Sequence, residues 1–341
     1  MAIAPYEFQC LIPGEILMST GATTTEPLAN AFRFTGQKQW FDFYNCRVTL
    51  PEEGRYFYCM PYFLSGEEVD ASRAGLTLYD GGNGGPSGDS VCDDRFVGRE
   101  GWSASTEGCD VQWTLDGDSY HFTERHIRFR GPTTTWDLEI EPFLTDREEP
   151  LLDPRMFKLE ERTFLRQVPF IHRVPRMKAW GRGVIEQQGE RYEFDRAIVY
   201  QAKNHGHNYP KDWTWVFGAI FDEDPNLAFE TAGLTGPNGD ACMMRISTPD
   251  GVRMLSNWGG DEVSVRRQGD TYRFTGIAGD GSLEVTGEAE HGENVLFYFP
   301  SPDGRTLEND ESFVGSLTVT IDGKKYHGRF PALGYLRTVE G

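Results

Sequence analysis

Read from its sequence, the chain is an all-β protein of two antiparallel barrels or sandwiches in tandem. Helical periodicity is almost absent, and short alternating runs of aromatic and β-branched residues, separated by Gly, Asp, Asn and Pro, recur from end to end. A hairpin pattern appears four times, unevenly spaced and in both halves. At 341 residues the chain also exceeds the usual size of one domain.

The strand runs, in order, are Trp40 to Leu50, Gly54 to Leu64, Cys109 to Leu115, Ser119 to Phe129, Trp136 to Pro142, Arg191 to Tyr200, Trp213 to Phe221, Val263 to Gln268, Thr271 to Ile277, Asn294 to Phe299 and Ser316 to Ile321. The repeated pattern is Gly117-Asp-Ser-Tyr120-His-Phe122, Gly189-Glu-Arg-Tyr192-Glu-Phe194, Gly269-Asp-Thr-Tyr272-Arg-Phe274 and Gly323-Lys-Lys-Tyr326. In each copy a turn glycine ends one strand and opens another with an aromatic three residues on, joined in the first three copies by a second aromatic two further, which makes a hairpin with one aromatic face. Strand pattern breaks at Asp146-Arg-Glu-Glu-Pro-Leu-Leu-Asp-Pro154. The division is therefore an N-terminal β-domain over 1–150, a linker over 151–175 and a C-terminal β-barrel over 176–341. Met156 to Phe164 is the one short helix expected, and Gly81 to Asp89 reads as a disordered loop or a flap.

Charge and composition exclude several functions. With 33 basic against 53 acidic residues the net charge is −20, which repels nucleic acid and anionic membrane surfaces, and no basic patch offsets it. The start of the chain lacks the pattern of a secretory signal, and no run approaches the roughly 18 apolar residues of a membrane span. A soluble, cytoplasmic protein is expected, without stable membrane insertion. The six cysteines show no C-x-x-C spacing, so free thiols are expected. There is no Gly-x-Ser-x-Gly elbow, phosphate loop or dinucleotide fingerprint, and no cofactor is expected.

The stretch from Tyr200 to Trp215 carries the chemistry. It sets Lys203, Asn204, His205, His207, Tyr209, Trp213 and Trp215 around Gly206 and Pro210, a mixture too polar for core and too aromatic for an ordinary loop. Aromatic walls with a few convergent hydrogen-bonding groups are what a small-molecule pocket requires.

The same stretch, followed by Phe217-Gly-Ala-Ile-Phe221, resembles the tocopherol cyclase-like proteins, with Lys203-Asn204-His205-Gly206, Tyr209-Pro210 and Trp213-Thr-Trp215 as the matching segments. Trp40 to Glu52 is similar to the aromatic-rich N-terminal signature of that family, and Ala332-Leu-Gly-Tyr335-Leu to its ending. The resemblance implies a pair of lipocalin-like barrels or calyces. It also implies relatives that include tocopherol cyclases, carotenoid 1,2-hydratases and fungal pericyclases, the Diels-Alderase type among them. Two departures stand out: Ala202 replaces the Glu before Lys-Asn, and His205 replaces the Trp after it. Asp42 and Tyr44 likewise stand where the family has Glu and Trp, so the vitamin E reaction itself is not expected.

Ring closure of a polyene or prenylated quinone methide needs a dry cavity that holds a floppy chain in its reactive fold. Trp40, Phe41, Tyr44, Tyr209, Trp213 and Trp215 are the candidate walls, with Lys203 as a further binding residue. Asn204, His205 and His207 are candidate hydrogen-bonding catalytic groups, and Asp42, if enclosed by aromatics, is a candidate acid. Alternatively, Asp42 is a paired or hydrated carboxylate. His205 and His207 share a strand face, but nothing nearby supplies a third ligand, so no metal is expected. The expected partner is an apolar small molecule, and three functions stay open: cyclase, hydratase, or non-catalytic carrier of a lipid or pigment.

Overall fold

The computed structural model describes residues 31–66, 73–82, 95–98, 101–115, 117–143, 171–187, 189–207, 209, 212–236, 239–292 and 295–338. Over these residues the chain is all-β, in three antiparallel sheets, with one 3-10 turn at Asn257–Gly259. No helix among them is long and apolar enough to cross a membrane.

The first sheet holds β1 (Trp40–Leu50), β2 (Arg55–Ser65), β3 (Arg73–Gly82), β4 (Arg95–Gly98), β5 (Trp102–Ala104), β6 (Asp110–Leu115), β7 (Asp118–Thr123), β8 (His126–Arg130), β9 (Thr134–Pro142), β10 (Ile171–Gln187) and β11 (Glu190–Gly206). Its order is β4-β3-β2-β1-β11-β10-β9-β8-β7-β6-β5, so β9, which precedes the expected linker, and β10, whose residues 171–175 fall inside it, are hydrogen-bonded neighbours. The remaining strands are β12 (Asp212–Gly218), β13 (Ala228–Gly236), β14 (Gly239–Thr248), β15 (Gly251–Ser256), β16 (Glu262–Gln268), β17 (Thr271–Ile277), β18 (Glu284–His291), β19 (Val295–Pro300), β20 (Thr306–Ser312), β21 (Gly315–Ile321), β22 (Lys324–Arg329) and β23 (Ala332–Thr338). They make a second sheet, β15-β14-β13-β12-β23-β20-β19, and a third, β16-β17-β18-β21-β22.

All four repeated patterns close two-residue hairpins, with Leu115 opposite Asp118, Gln187 opposite Glu190, Gln268 opposite Thr271 and Ile321 opposite Lys324. At the last of these Asp322 and Gly323 have φ of 49° and 80°, two left-handed residues in succession. That handedness matches the twist of the flanking strands. The expected Ser119 to Phe129 run is two strands. Thr123 Oγ1 accepts from the amides of Arg125 and His126, at 3.2 and 2.8 Å, and this local turn outcompetes the ladder.

Three packed layers result. The first sheet curls around Val48, Phe57, Phe122, Ile127, Trp136 and Val199. The second and third sheets enclose Phe229, Met244, Val265, Phe274, Val285 and Val319. A third core lies between the free face of the first sheet and that of the second, where Phe43, Tyr58, Met60 and Tyr200 meet Trp215, Phe217, Met243 and Leu336. Buried cations pin this junction by donating to main-chain carbonyls. Arg47 donates to Phe313 O and Phe330 O at 2.9 and 2.8 Å, Arg245 to Val174 O at 3.1 Å, and Lys178 to Pro225 O at 2.5 Å.

The expected helix at Met156 to Phe164, all but two residues of the Gly81 to Asp89 loop, Cys10, Cys92, Asn208, Pro210 and Lys211 lie outside the described residues. Among the described residues Cys46, Cys59, Cys109 and Cys242 form no disulfide.

Candidate functional site

The stretch that starts at Tyr200 does not leave the sheet: β11 runs on to Gly206, with its backbone paired to β1 on one side and β10 on the other. Side chains alternate across a strand, so this run feeds two different environments. Tyr200, Ala202 and Asn204 face the junction with the second sheet, and Lys203 and His205 face the opposite way.

On the junction side the ladder sets Phe43, Asn204 and His172 abreast. Opposite them the second sheet presents Trp213 and Trp215 from β12, Gly334 and Leu336 from β23, and Asn309 and Glu311 from β20. Between the two faces lies a narrow cleft with about 60 Å³ of free space, or about 570 Å³ counting its open mouth and the gaps between side chains. Both tryptophans line it, because Thr214 points to the other face of β12. A second groove, of about 1060 Å³ with its mouth, runs past Trp180 and mixes acidic residues with Lys178 and Arg196.

One hydrogen-bonded chain crosses the cleft wall. The carboxyl of Glu230, fully buried on β13, accepts at Oε1 from Tyr200 OH at 2.7 Å, from Trp215 Nε1 at 2.8 Å and from His172 Nε2 at 3.0 Å. The other ring nitrogen of His172 meets Asn204 Oδ1 at 2.7 Å. The Asn204 amide nitrogen is then left as a donor at the cleft wall.

Burial alone would push the Glu230 carboxyl up. The hydrogen bond and charge of His172, the Arg245 guanidinium opposite it on β14 and the Trp215 N–H together hold it below its ordinary value, as the anion. Burial and the Glu230 charge drive the Tyr200 phenol well up, so it stays a donor.

On the other face Lys203 Nζ lies 3.0 Å from Asp42 Oδ1, and both side chains are fully buried. Asp42 Oδ2 accepts from Arg33 N at 2.7 Å, Lys203 also donates to Ala31 O, and its ammonium sits 4.8 Å from the centre of the Tyr44 ring. Burial raises the Asp42 carboxyl, an effect that Lys203 reduces, and burial lowers Lys203 to about 8 despite the carboxylate beside it. Trp40 packs 5.9 Å from the His205 ring and 5.0 Å from His207, whose Nδ1 is 3.2 Å from Gln39 O.

Of the residues picked from sequence, then, the fold brings Asn204, Tyr209, Trp213 and Trp215 together at the cleft, with Phe41 stacked 4.1 Å from Tyr209. It sets Asp42, His205, His207, Trp40, Tyr44 and Lys203 on the reverse face of the same sheet. Sequence reasoning missed His172 and Glu230. Glu230 had a signal: it is the one charge in Leu227-Ala-Phe-Glu-Thr-Ala-Gly233, an apolar strand. Lone carboxylates in such runs are paired or functional. Among the described residues no three His, Cys, Asp or Glu side chains are grouped to hold a metal ion.

The family model of tocopherol cyclase-like proteins matches residues 172–330, a span that opens on His172 and contains Asn204, Trp215, Glu230 and Glu311. The resemblance to the tocopherol cyclase-like proteins holds. Solved structures agree on the architecture over both halves. An AttH candidate from Nitrosomonas europaea is 12% identical with a TM-score of 0.54, over 92% of this chain and 99% of that one. CghA solved with Sch210972 is 11% identical with a TM-score of 0.58, over 89% of each chain, and CghA alone gives 11% and 0.59, over 88% of each. At these identities the likeness is one of fold: the all-β, lipocalin-like arrangement that the tocopherol cyclase-like resemblance implies. No curated protein sequence matches the chain.

Proposed function

We propose that the protein is an enzyme, a cofactor-independent cyclase that folds an apolar, unsaturated substrate in the cleft between the two sheets and promotes its ring closure. The substrate class is a polyene or a prenylated quinone-methide type of molecule bearing a conjugated carbonyl. The observation that carries this reading is the chain Glu230–His172–Asn204, which ends in an amide donor on an aromatic wall. Tocopherol cyclase-like relatives include ring-closing enzymes, and CghA was solved holding a small molecule, Sch210972.

In this mechanism Asn204 donates to the carbonyl oxygen of the substrate, drawing electron density from the conjugated double bonds as the ring forms. His172 holds the amide oxygen, and Glu230 holds His172. Polarisation along such a chain strengthens each bond. A positioned donor of this kind is worth about 10²–10³ in rate, roughly 3–4 kcal/mol. Phe43, Tyr209, Trp213 and Trp215 restrict the substrate to its reactive fold, an effect with a ceiling of about 7–11 kcal/mol. Ring closure neither adds nor removes atoms. Asp42, His205 and His207, on the reverse face, secure β1 against β11 and do not touch the substrate.

The test is native mass spectrometry of the protein incubated with extracts of its producing cells in heavy-oxygen water, followed by release and accurate mass of the bound species. A ligand converted to a product of identical mass supports the cyclase. Gain of one labelled water makes the protein a hydratase, and recovery of the ligand unchanged makes it a carrier.

A further inference from the structure

The cleft is polar at two ends, and the chain through Glu230 accounts for only one of them. On the second sheet the register sets Trp215, Gly334 and Glu311 in one row across β12, β23 and β20, with Trp213, Leu336 and Asn309 in the next. Glu311 is nearly buried, and its Oε1 accepts from Asn309 Nδ2 at 2.7 Å. β13, which carries Glu230, and β20, which carries Glu311, are three strand spacings apart, about 14 Å. On the second sheet the wall between them is aromatic or apolar, formed by Trp213, Trp215, Gly334 and Leu336, while the first sheet adds Asn45, Tyr58 and Tyr209 to the lining.

Gly334 lies between the two ends. A Cβ there would lie 3.3 Å from Trp215 Cε3 and 3.6 Å from Glu311 Cγ, filling the gap between ring and carboxyl. Its φ is not in the left-handed region, so the backbone does not demand glycine at this point. The missing side chain lets the Trp215 ring and Glu311 sit close against the β23 backbone.

We infer that Glu311, oriented by Asn309, is a specificity subsite that accepts a hydrogen bond from a hydroxyl or amine at the end of the substrate remote from Asn204, and that Gly334 shapes the wall between by letting the Trp215 ring and Glu311 pack against β23. The substrate class is thereby an elongated molecule with a carbonyl at one end, a hydrogen-bond donor at the other and an apolar middle. This holds only if the cleft is the substrate site, as proposed above.

A matched pair of probes separates the two readings: 4-(4-hydroxyphenyl)-2-butanone and 4-phenyl-2-butanone, which differ by one hydroxyl, titrated calorimetrically into the full chain. The expected result is at least about tenfold tighter binding of the hydroxylated ketone by the unmodified protein. Glu311→Met removes that preference while leaving the affinity for 4-phenyl-2-butanone within about threefold, and Glu311→Gln, which retains an acceptor, keeps part of it. Gly334→Val weakens both probes. Equal affinity of the two probes for the unmodified protein, or a preference that survives Glu311→Met, overturns the subsite and leaves the cleft standing as the substrate site. Failure of both probes to bind overturns the subsite and the cleft together.

Discussion

His172 Nε2 and Glu230 Oε1, 3.0 Å apart, join the two sheets that form the cleft, since His172 stands on β10 and Glu230 on β13. The pair is shielded from water, so each partner fixes the other's orientation. Cutting the link from either side therefore affects the cleft wall more than the fold of either sheet.

Asn204→Ala removes the donor at the cleft wall while leaving every strand pairing in place. Turnover is expected to fall by about 10²-fold or more, with ligand affinity lowered by less than about tenfold. Steady-state kinetics beside a binding titration checks the split.

Glu230→Gln keeps an oxygen for the Tyr200 and Trp215 donors and removes the charge that faces His172. Turnover is expected to drop by at least tenfold with the fold retained. The carboxyl of Glu230 is held below its ordinary 4.5, so its stabilising effect is fully present above that value and is lost as pH falls through the folded one. Denaturant unfolding at a series of acidic pH values should show the unmodified protein losing more stability than Glu230→Gln below about pH 4.5.

Asp42→Asn leaves the Lys203 ammonium buried without its counter-charge. A loss of about 3–5 kcal/mol is expected, and the double change Asp42→Leu with Lys203→Met should recover most of it. Unfolding midpoints in urea for the single and double variants test the pair as a unit. Catalysis surviving in a folded double variant would agree with the pair's position on the reverse face.

Lys178 is nearly buried and held at about 8 by desolvation, against an ordinary 10.5. Between those two values the unfolded chain binds the extra proton and the folded one does not, so stability rises with pH across the window. Lys178→Met removes a cost on the order of 3 kcal/mol below pH 8, less about 1 kcal/mol for the lost bond to Pro225 O. Thermal melts from pH 7 to 10.5 should show a net gain at pH 7 and a flatter pH dependence.

The fold was legible because its signals are local: four turn glycines with aromatics beyond them sufficed to place four hairpins in both halves. The aromatic cleft was half legible. Trp213, Trp215, Tyr209 and Asn204 were found as one sequence cluster, yet alternation along β11 sends Lys203 and His205 away from Asn204, and β1 likewise parts Asp42 from Phe43. Spacing alone gives the two faces of a strand and not which face meets the cavity. His172 and Glu230 are 58 residues apart, and only the stacking of one sheet on another brings them together.

The sheet order also bears on how the chain takes shape as it is made. β1 is flanked by β2 on one side and by β11 on the other, and β9 by β8 and β10. A ribosome that has translated as far as Pro142 has released two ribbons, each with an open edge, and the hairpin that zips them together is still unsynthesised. Arrival of residues 171–206 would close both edges in one step, so the nascent chain should gain protease resistance abruptly once Gly206 clears the exit tunnel.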